Sequence, residues 1–217
     1  MTDSSSGRAF RFLALCGMIA PVLMLALWTV ASLVRPGYDQ LNQYGSELGS
    51  GPNAFIMNTN LVVTGLLIVV FAAGLFKNIR GGRWTQMGSI LLLVFGAGEV
   101  AGGLFPCDSG CPTAAQSFTQ LAHNIDAVIA FSAIALAPFL VSLGLNRDDH
   151  WKGYRSYSLL TGLLAIGLLL IFAAAVFGYF RYVGLFQRLF LAVPFLWIEV
   201  VAKRLFRIVS HDHSLRS

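Results

Sequence analysis

Three groups of side chains in this sequence have types and spacings that could do chemistry. Glu99 lies within an apolar stretch, about six residues before Phe105, or roughly 9 Å of helix. A carboxylate at that depth of a bilayer costs a few kcal/mol unless it is protonated, paired or facing water, so position alone makes it a functional candidate. Gly96, Gly98, Gly102 and Gly103 surround it, and Gly98 with Gly102 forms a GxxxG pair that lets a neighbouring helix come close. A hydrogen bond to a packed neighbour would account for Glu99 equally well. Gln120, His123 and Asp126 recur every third residue and therefore share roughly one helix face. A histidine so placed can carry a proton or ligate a metal with Asp126 orienting it, or it can bridge two helices. Cys107 and Cys111 flank Asp108-Ser109-Gly110. On an extracytoplasmic side thiols oxidise, and a small disulfide loop is the first expectation. The alternative is a two-thiolate metal site, but His123 is the one histidine on that side and the set falls short of tetrahedral zinc. No metal is assigned.

A loop contributes further polar residues: Arg35-Pro36-Gly37-Tyr38, then Ser46-Glu47-Leu48-Gly49 and Pro52-Asn53, with Asn58 just inside the following helix. Its glycines and prolines make a structured turn region. The spacing matches neither a nucleophile elbow nor a phosphate loop, so taken alone it reads as an ordered cap over helix ends. Other residues have simpler explanations. Glu199 and Lys203 are four apart on a helix, which forms an ion pair. His211 and His213 fall in a polar tail, and Cys16 is a small buried hydrophobe.

The elements that position these residues follow from composition. Of 217 residues, 56% are apolar and 12% charged, against about a quarter charged in soluble domains. Near-continuous apolar runs reach the roughly 20 residues that a spanning helix needs, and the ten-residue alternation of a membrane barrel is absent. Lipid offers no partners for unpaired backbone groups, so the spans are helices. The expected fold is an all-α membrane protein, a bundle of six transmembrane helices in a single membrane domain over residues 1–217. The spans fall at about 12–34, 54–76, 84–105, 119–143, 158–180 and 188–206. The third is glycine-rich and carries Glu99; the sixth contains Pro194 and Glu199 and follows a short turn at Val183-Gly184, which if buried would leave five spans. The first exceeds a secretory h-region in length and reads as a retained anchor.

Basic residues set the orientation. Arg8, Arg11, Lys77, Arg80, Arg83, Arg147, Lys152, Arg155, Lys203, Arg204, Arg207 and Arg216 share one side, against Arg35, Arg181 and Arg188 on the other. Twelve against three places both termini in the cytoplasm. The net charge of +5 is spread over short loops, which is a topological signature and not a nucleic-acid surface. No internal repeat is legible.

Taken together, Arg35-Pro36-Gly37-Tyr38, Ser46-Glu47-Leu48-Gly49, Phe105-Pro106-Cys107-Asp108, His123 and Gln187-Arg188 resemble the pattern of the domain of unknown function 998 family, small prokaryotic membrane proteins. The resemblance runs from Met18 to Trp197. It implies a six-helix fold in the plasma (inner) membrane and no established activity. The cysteine pair is an addition to the usual Phe-Pro-x-Asp element, so a disulfide would alter the setting of Asp108. Residue by residue the pattern points to Tyr38, Ser46, Glu47, Asp108, His123 and Arg188, all on the outer side.

Three functions fit these observations. The first is a polar, outward-facing site near the outer membrane interface, built from Glu47, Glu99, Asp108, His123 and Arg188. It would bind a lipid or other small amphiphile from the outer side, or hydrolyse it with a carboxylate or His123 as base. A ceramidase-like zinc site would need two more histidines. The second is a proton-coupled small-molecule carrier using Glu99 or the His123 and Asp126 pair. Its weakness is the inner half, which away from Glu199 offers only scattered Ser and Thr. The third is a structural or partner-binding protein without catalysis. Nothing in the sequence names a cofactor or an oligomeric state.

Overall fold

A computed structural model of the chain describes residues 4–214; Arg216, counted above for orientation, lies outside them. Six α-helices account for most of these residues: α1 Ser4–Val34, α2 Ala54–Asn78, α3 Arg83–Leu104, α4 Phe118–Gly144, α5 Arg155–Val176 and α6 Val183–Ser214. Among the described residues there is no strand. All six helices are long and apolar enough to cross a membrane, and the protein is a multi-pass integral membrane protein in contact with the bilayer. Pro21, Pro138 and Pro194 sit inside α1, α4 and α6. Spanning helices tolerate such interruptions because neighbouring helices help satisfy the freed backbone groups.

Each helix packs against the one before and after it, and α6 closes on α1, so the six form a ring. One end of the ring carries the chain termini and the α2–α3 and α4–α5 connections. There Asp148 is the organising residue: Oδ2 accepts from the Arg80 N–H and Oδ1 from the His150 N–H. Arg204 of α6 donates Nε and Nη2 to the His150 carbonyl and stacks over Tyr154. The other end, here the cysteine end, carries the three remaining connections.

The boundaries of the last two helices differ from the sequence expectation. Helix α5 ends at Val176, where the chain was expected to continue to residue 180, and α6 begins at Val183, where residue 188 was expected. Gly178 (φ +84°) and Tyr182 (φ +68°) take left-handed backbone conformations that stop one helix and start the next. The turn expected at Val183-Gly184 lies instead at residues 177–182, which are exposed, while Gly184 is buried in the first turn of α6; six helices remain. Glu199 and Lys203 are ion-paired at 2.8 Å, and Cys16 is buried. His211 lies within α6 rather than in a free tail. The helix also runs through His213.

Glycines set how closely α3 meets its neighbours. Gly96 and Gly103 face α2, where a Cβ on Gly96 would stand 2.8 Å from the Gly65 carbonyl. Gly98 faces α4, where a Cβ would stand 2.7 Å from that of Ala130. Close approach on both sides makes α2, α3 and α4 the tightest part of the ring.

Candidate functional site

Helix α4 is held at its start by a proper cap: the Ser117 hydroxyl accepts the Gln120 N–H at 3.0 Å and donates to Asp108 Oδ1 at 2.8 Å. Gln120, fully buried, accepts the Asp108 N–H and donates to the Pro112 carbonyl and to Asn124. These contacts fasten the segment containing the Cys107–Cys111 disulfide, whose Cα atoms are 5.1 Å apart, to the first turns of α4. Asp108 is therefore a capping residue of the cysteine loop.

The first loop is fastened at several points. Arg35 donates to the Ser50 and Pro52 carbonyls, Asn53 to the Val34 carbonyl and Asn58 to the Gly49 carbonyl. Within it, residues Gly45–Gly49 form a short 3-10 helix. Glu47 caps this turn, its Oε1 accepting the Tyr44 N–H at 3.0 Å and its Oε2 accepting from Gln43 at 2.9 Å. Arg188 of α6 holds the loop from the side. Its Nη1 donates to the Gln40, Gln43 and Gly184 carbonyls, Nη2 donates to the Tyr38 hydroxyl, and the guanidinium lies over the rings of Trp28 and Tyr38. The Leu185 N–H donates to the Leu41 carbonyl. Gly184 leaves no room for a side chain there, since a Cβ would stand 2.2 Å from the Gln43 carbonyl oxygen.

Beneath these two loops lies a cavity of about 530 Å³, to which all six helices contribute. That volume is within the usual range of small-molecule pockets. Its polar residues gather at the cysteine end: Tyr44, Ser46, His123, Asn124, Glu99 and Asp126. Deeper in, and between α4 and α5, the walls are apolar, with Phe131, Leu169, Phe172 and Leu191. Val128, Leu170 and Phe177 line the cavity and are also exposed on the outside of the ring, so it reaches the surface between α4 and α5.

The two carboxylates come from facing helices. Asp126 rests against the α3 glycines, where a Cβ on Gly98 would stand 2.9 Å from its Oδ1 and one on Gly102 3.5 Å from its Oδ2. Glu99 is 7% exposed, and its Oε2 has no hydrogen-bond partner. Its charge and that of Asp126 act on each other, and neither forms an ion pair among the described residues. His123 Nδ1 lies 3.1 Å from the Phe105 carbonyl. A ring nitrogen of His123 and the two sulfurs lie within 4.8 Å of one another, but the sulfurs are bonded together; only reduction would free them as metal ligands. Ser46 bridges the loops, its hydroxyl 3.5 Å from Cys111 Sγ and its carbonyl 3.6 Å from Cys107 Sγ.

The sequence-derived candidates thus fall into two sets. Ser46, Glu99, His123 and Asp126 line the cavity together; Tyr38, Glu47, Asp108 and Arg188 build the loops above it. Sequence reasoning passed over Trp28 and Tyr44, which also line it, and quoted Gln187 in the family pattern without taking it as a site residue. Gln187, whose Oε1 accepts the Gly45 N–H at 2.7 Å, was legible as a polar residue in a spanning helix.

A ring of six spanning helices enclosing a one-ended polar cavity defines a small multi-pass membrane protein with a buried site. The chain belongs to the family described as "Protein of unknown function (DUF998)", matched over residues 18–204. No curated protein and no solved structure matches it.

Proposed function

We propose that the protein binds an amphiphile from the membrane, seating its polar head at Ser46, Glu99, His123 and Asp126 and its apolar tail between α4 and α5. The observation that carries this reading is the cavity itself, polar at one end, apolar below, and reaching the lipid-facing surface beside Val128, Leu170 and Phe177. Binding asks less of the site than hydrolysis, which would need a nucleophile activated by Glu99, Asp126 or His123; the Ser46 hydroxyl is set against Cys111 and not against any of them. Passage across the membrane has less support still. At the apolar end of the cavity its wall residues Phe131 and Phe172 pack ring to ring with Phe190, with centroids 5.5 to 6.3 Å apart, and Phe95 meets Phe195 at 5.8 Å. The cysteine end is read as facing out of the cytoplasm, in keeping with the twelve-to-three basic asymmetry and with a disulfide at that end.

The test is native mass spectrometry of the full chain extracted in a mild, neutral detergent. Wild type carries a small-molecule adduct, and Ala127→Phe, which fills the wall of the cavity between α4 and α5, loses it. Equal adducts on both proteins, with the variant folded, would place the molecule elsewhere and defeat the proposal.

A further inference from the structure

The cavity has a charge signature beyond its amphipathic shape. Its lining holds two carboxylates, Glu99 and Asp126, and no lysine or arginine. Arg181, one of three arginines at this end, lies in the exposed α5–α6 turn over the Tyr182 ring and outside the lining; Arg35 and Arg188 are committed to loop carbonyls, and Arg188 also to Tyr38 and Trp28. Neither is available to neutralise the carboxylates. Glu99 Oε2 remains buried without a hydrogen-bond donor. A carboxylate removed from water and left without a donor or counter-charge is costly, so a partner arriving from outside the chain gains what the protein does not supply. The rest of the lining favours the same partner. Trp28, Tyr44, Phe131 and Phe172 present aromatic rings to the cavity, and aromatic faces attract organic cations. An anionic head, by contrast, would meet two acidic groups, with His123 the single basic side chain of the lining.

We infer that the amphiphile is cationic: a protonated amine head held between Glu99 and Asp126, with an aliphatic tail passing between α4 and α5. This rests on the amphiphile reading and narrows it. The ammonium donates hydrogen bonds to Glu99 Oε2 and to the Asp126 carboxylate, while the tail follows Leu169, Leu170 and Phe177.

The experiment uses the full chain in neutral maltoside micelles and three probes of one chain length: dodecylamine, dodecanol and dodecyl phosphate. Thermal unfolding and direct titration are read at neutral pH. Dodecylamine raises the melting temperature and binds at least about tenfold more tightly than dodecanol, and dodecyl phosphate gives no shift. Glu99→Gln and Asp126→Asn each weaken dodecylamine at least about tenfold and leave dodecanol unchanged. Asp126 is less buried than Glu99, so its variant keeps the test alive if Glu99→Gln does not fold. Asp149→Asn, an exposed carboxylate at the opposite end, leaves dodecylamine binding as in wild type and so excludes simple attraction to a charged micelle. Butylamine binds weakly, because a tail is required; tight binding of butylamine would mean a dissolved amine site and overturn the tail assignment. If dodecanol and dodecyl phosphate bind as well as the amine, the cationic assignment fails and the amphiphile reading stands. If no probe of this chain length shifts the protein, both fail.

Discussion

Arg188→Ala is the substitution whose cost can be worked most directly from the structure. Three contacts of its guanidinium are short, at 2.6 Å to the Gln40 carbonyl, 2.9 Å to the Gly184 carbonyl and 2.6 Å to the Tyr38 hydroxyl. Hydrogen bonds to charged groups contribute about 1.5–3 kcal/mol each, and a partly exposed cation over an aromatic ring about 0.5–1 kcal/mol. All of these converge on one group, so they do not add, and the expected loss is about 3–4 kcal/mol. Arg188→Lys keeps the charge but not the planar fork, and should lose about 2 kcal/mol. Tyr38→Phe removes the shared hydroxyl; a double-mutant cycle with Arg188→Ala should show coupling of at least about 1 kcal/mol. Unfolding by SDS titration in mixed micelles measures the four variants against wild type. A loss below about 1 kcal/mol for Arg188→Ala, or full additivity with Tyr38→Phe, would refute the assignment of Arg188 as the fastener of the loop. The pH dependence supplies a second arm. Burial pushes the Tyr38 phenol above its ordinary value of 10.0, against the pull of the nearby Arg188. The folded state then holds the phenolic proton to higher pH than the unfolded chain. This contribution is whole below the ordinary value and is lost as pH rises through the folded one. Removing Arg188 raises the folded value further, so the alkaline loss in Arg188→Ala extends to higher pH than in wild type.

Two further outcomes follow from the packing and the charge pattern. A Cβ on Gly65 would stand 2.5 Å from the Gly96 carbonyl oxygen, 2.8 Å from the Val100 nitrogen and 2.9 Å from the Glu99 Cβ; Gly65→Ala therefore forces α2 and α3 apart, costs about 1–3 kcal/mol in SDS titration, and an unchanged midpoint would contradict it. For orientation, a membrane-impermeant thiol reagent applied to intact cells labels Gln116→Cys and spares Asn78→Cys, and the reverse pattern would invert the topology.

Much of the architecture was legible in the sequence because the bilayer imposes a length and a composition on every span. The end of α5 was not, since Phe177 to Tyr182 is nearly as apolar and aromatic as the helix before it, and only the backbone conformations at Gly178 and Tyr182 mark the turn. The site was half legible. Spacing could place Gln120, His123 and Asp126 on one face of α4, and the glycines around Glu99 announced a close helix contact. It could not show that Asp126 is the group seated over Gly98 and Gly102, because helices that are apolar all round carry little record of which face turns inward. Nor could it separate residues that line a cavity from those that hold its roof. Tyr38, Glu47, Asp108 and Arg188 are polar and clustered like any binding residues, yet each spends its hydrogen bonds within the loop framework, on backbone, on Gln43 or Ser117, or on another of the set.

The asymmetry of the ring bears on what such a site can do. At the end carrying the termini the helices meet closely: a Cβ on Gly162 of α5 would stand 2.5 Å from the Phe139 nitrogen of α4, and one on Gly88 of α3 2.8 Å from the Ala137 carbonyl oxygen. The Trp197 indole donates to the Ser158 hydroxyl at 2.9 Å, tying α6 to α5 in the same half. Ser89 and Thr161, the kind of residue a polar path there would need, return their hydroxyls to carbonyls four residues earlier in their own helices. The cysteine half is different, because α4 and α5, close at Gly162, part before the α5–α6 turn and the six helices enclose the cavity there. Below this cavity the α4–α5 side of the ring is filled, while a second cavity of about 620 Å³ runs between α1 and α6 from Gln40 to Glu199 and Lys203 and shares Met24, Trp28 and Leu191 with the first. A carrier opening along α4 and α5 would have to separate the Phe131, Phe172 and Phe190 rings and break the close α4–α5 contact at Gly162. Retention of a ligand at one depth asks for none of this, which is why the packing supports a site that holds its ligand over one that passes it on.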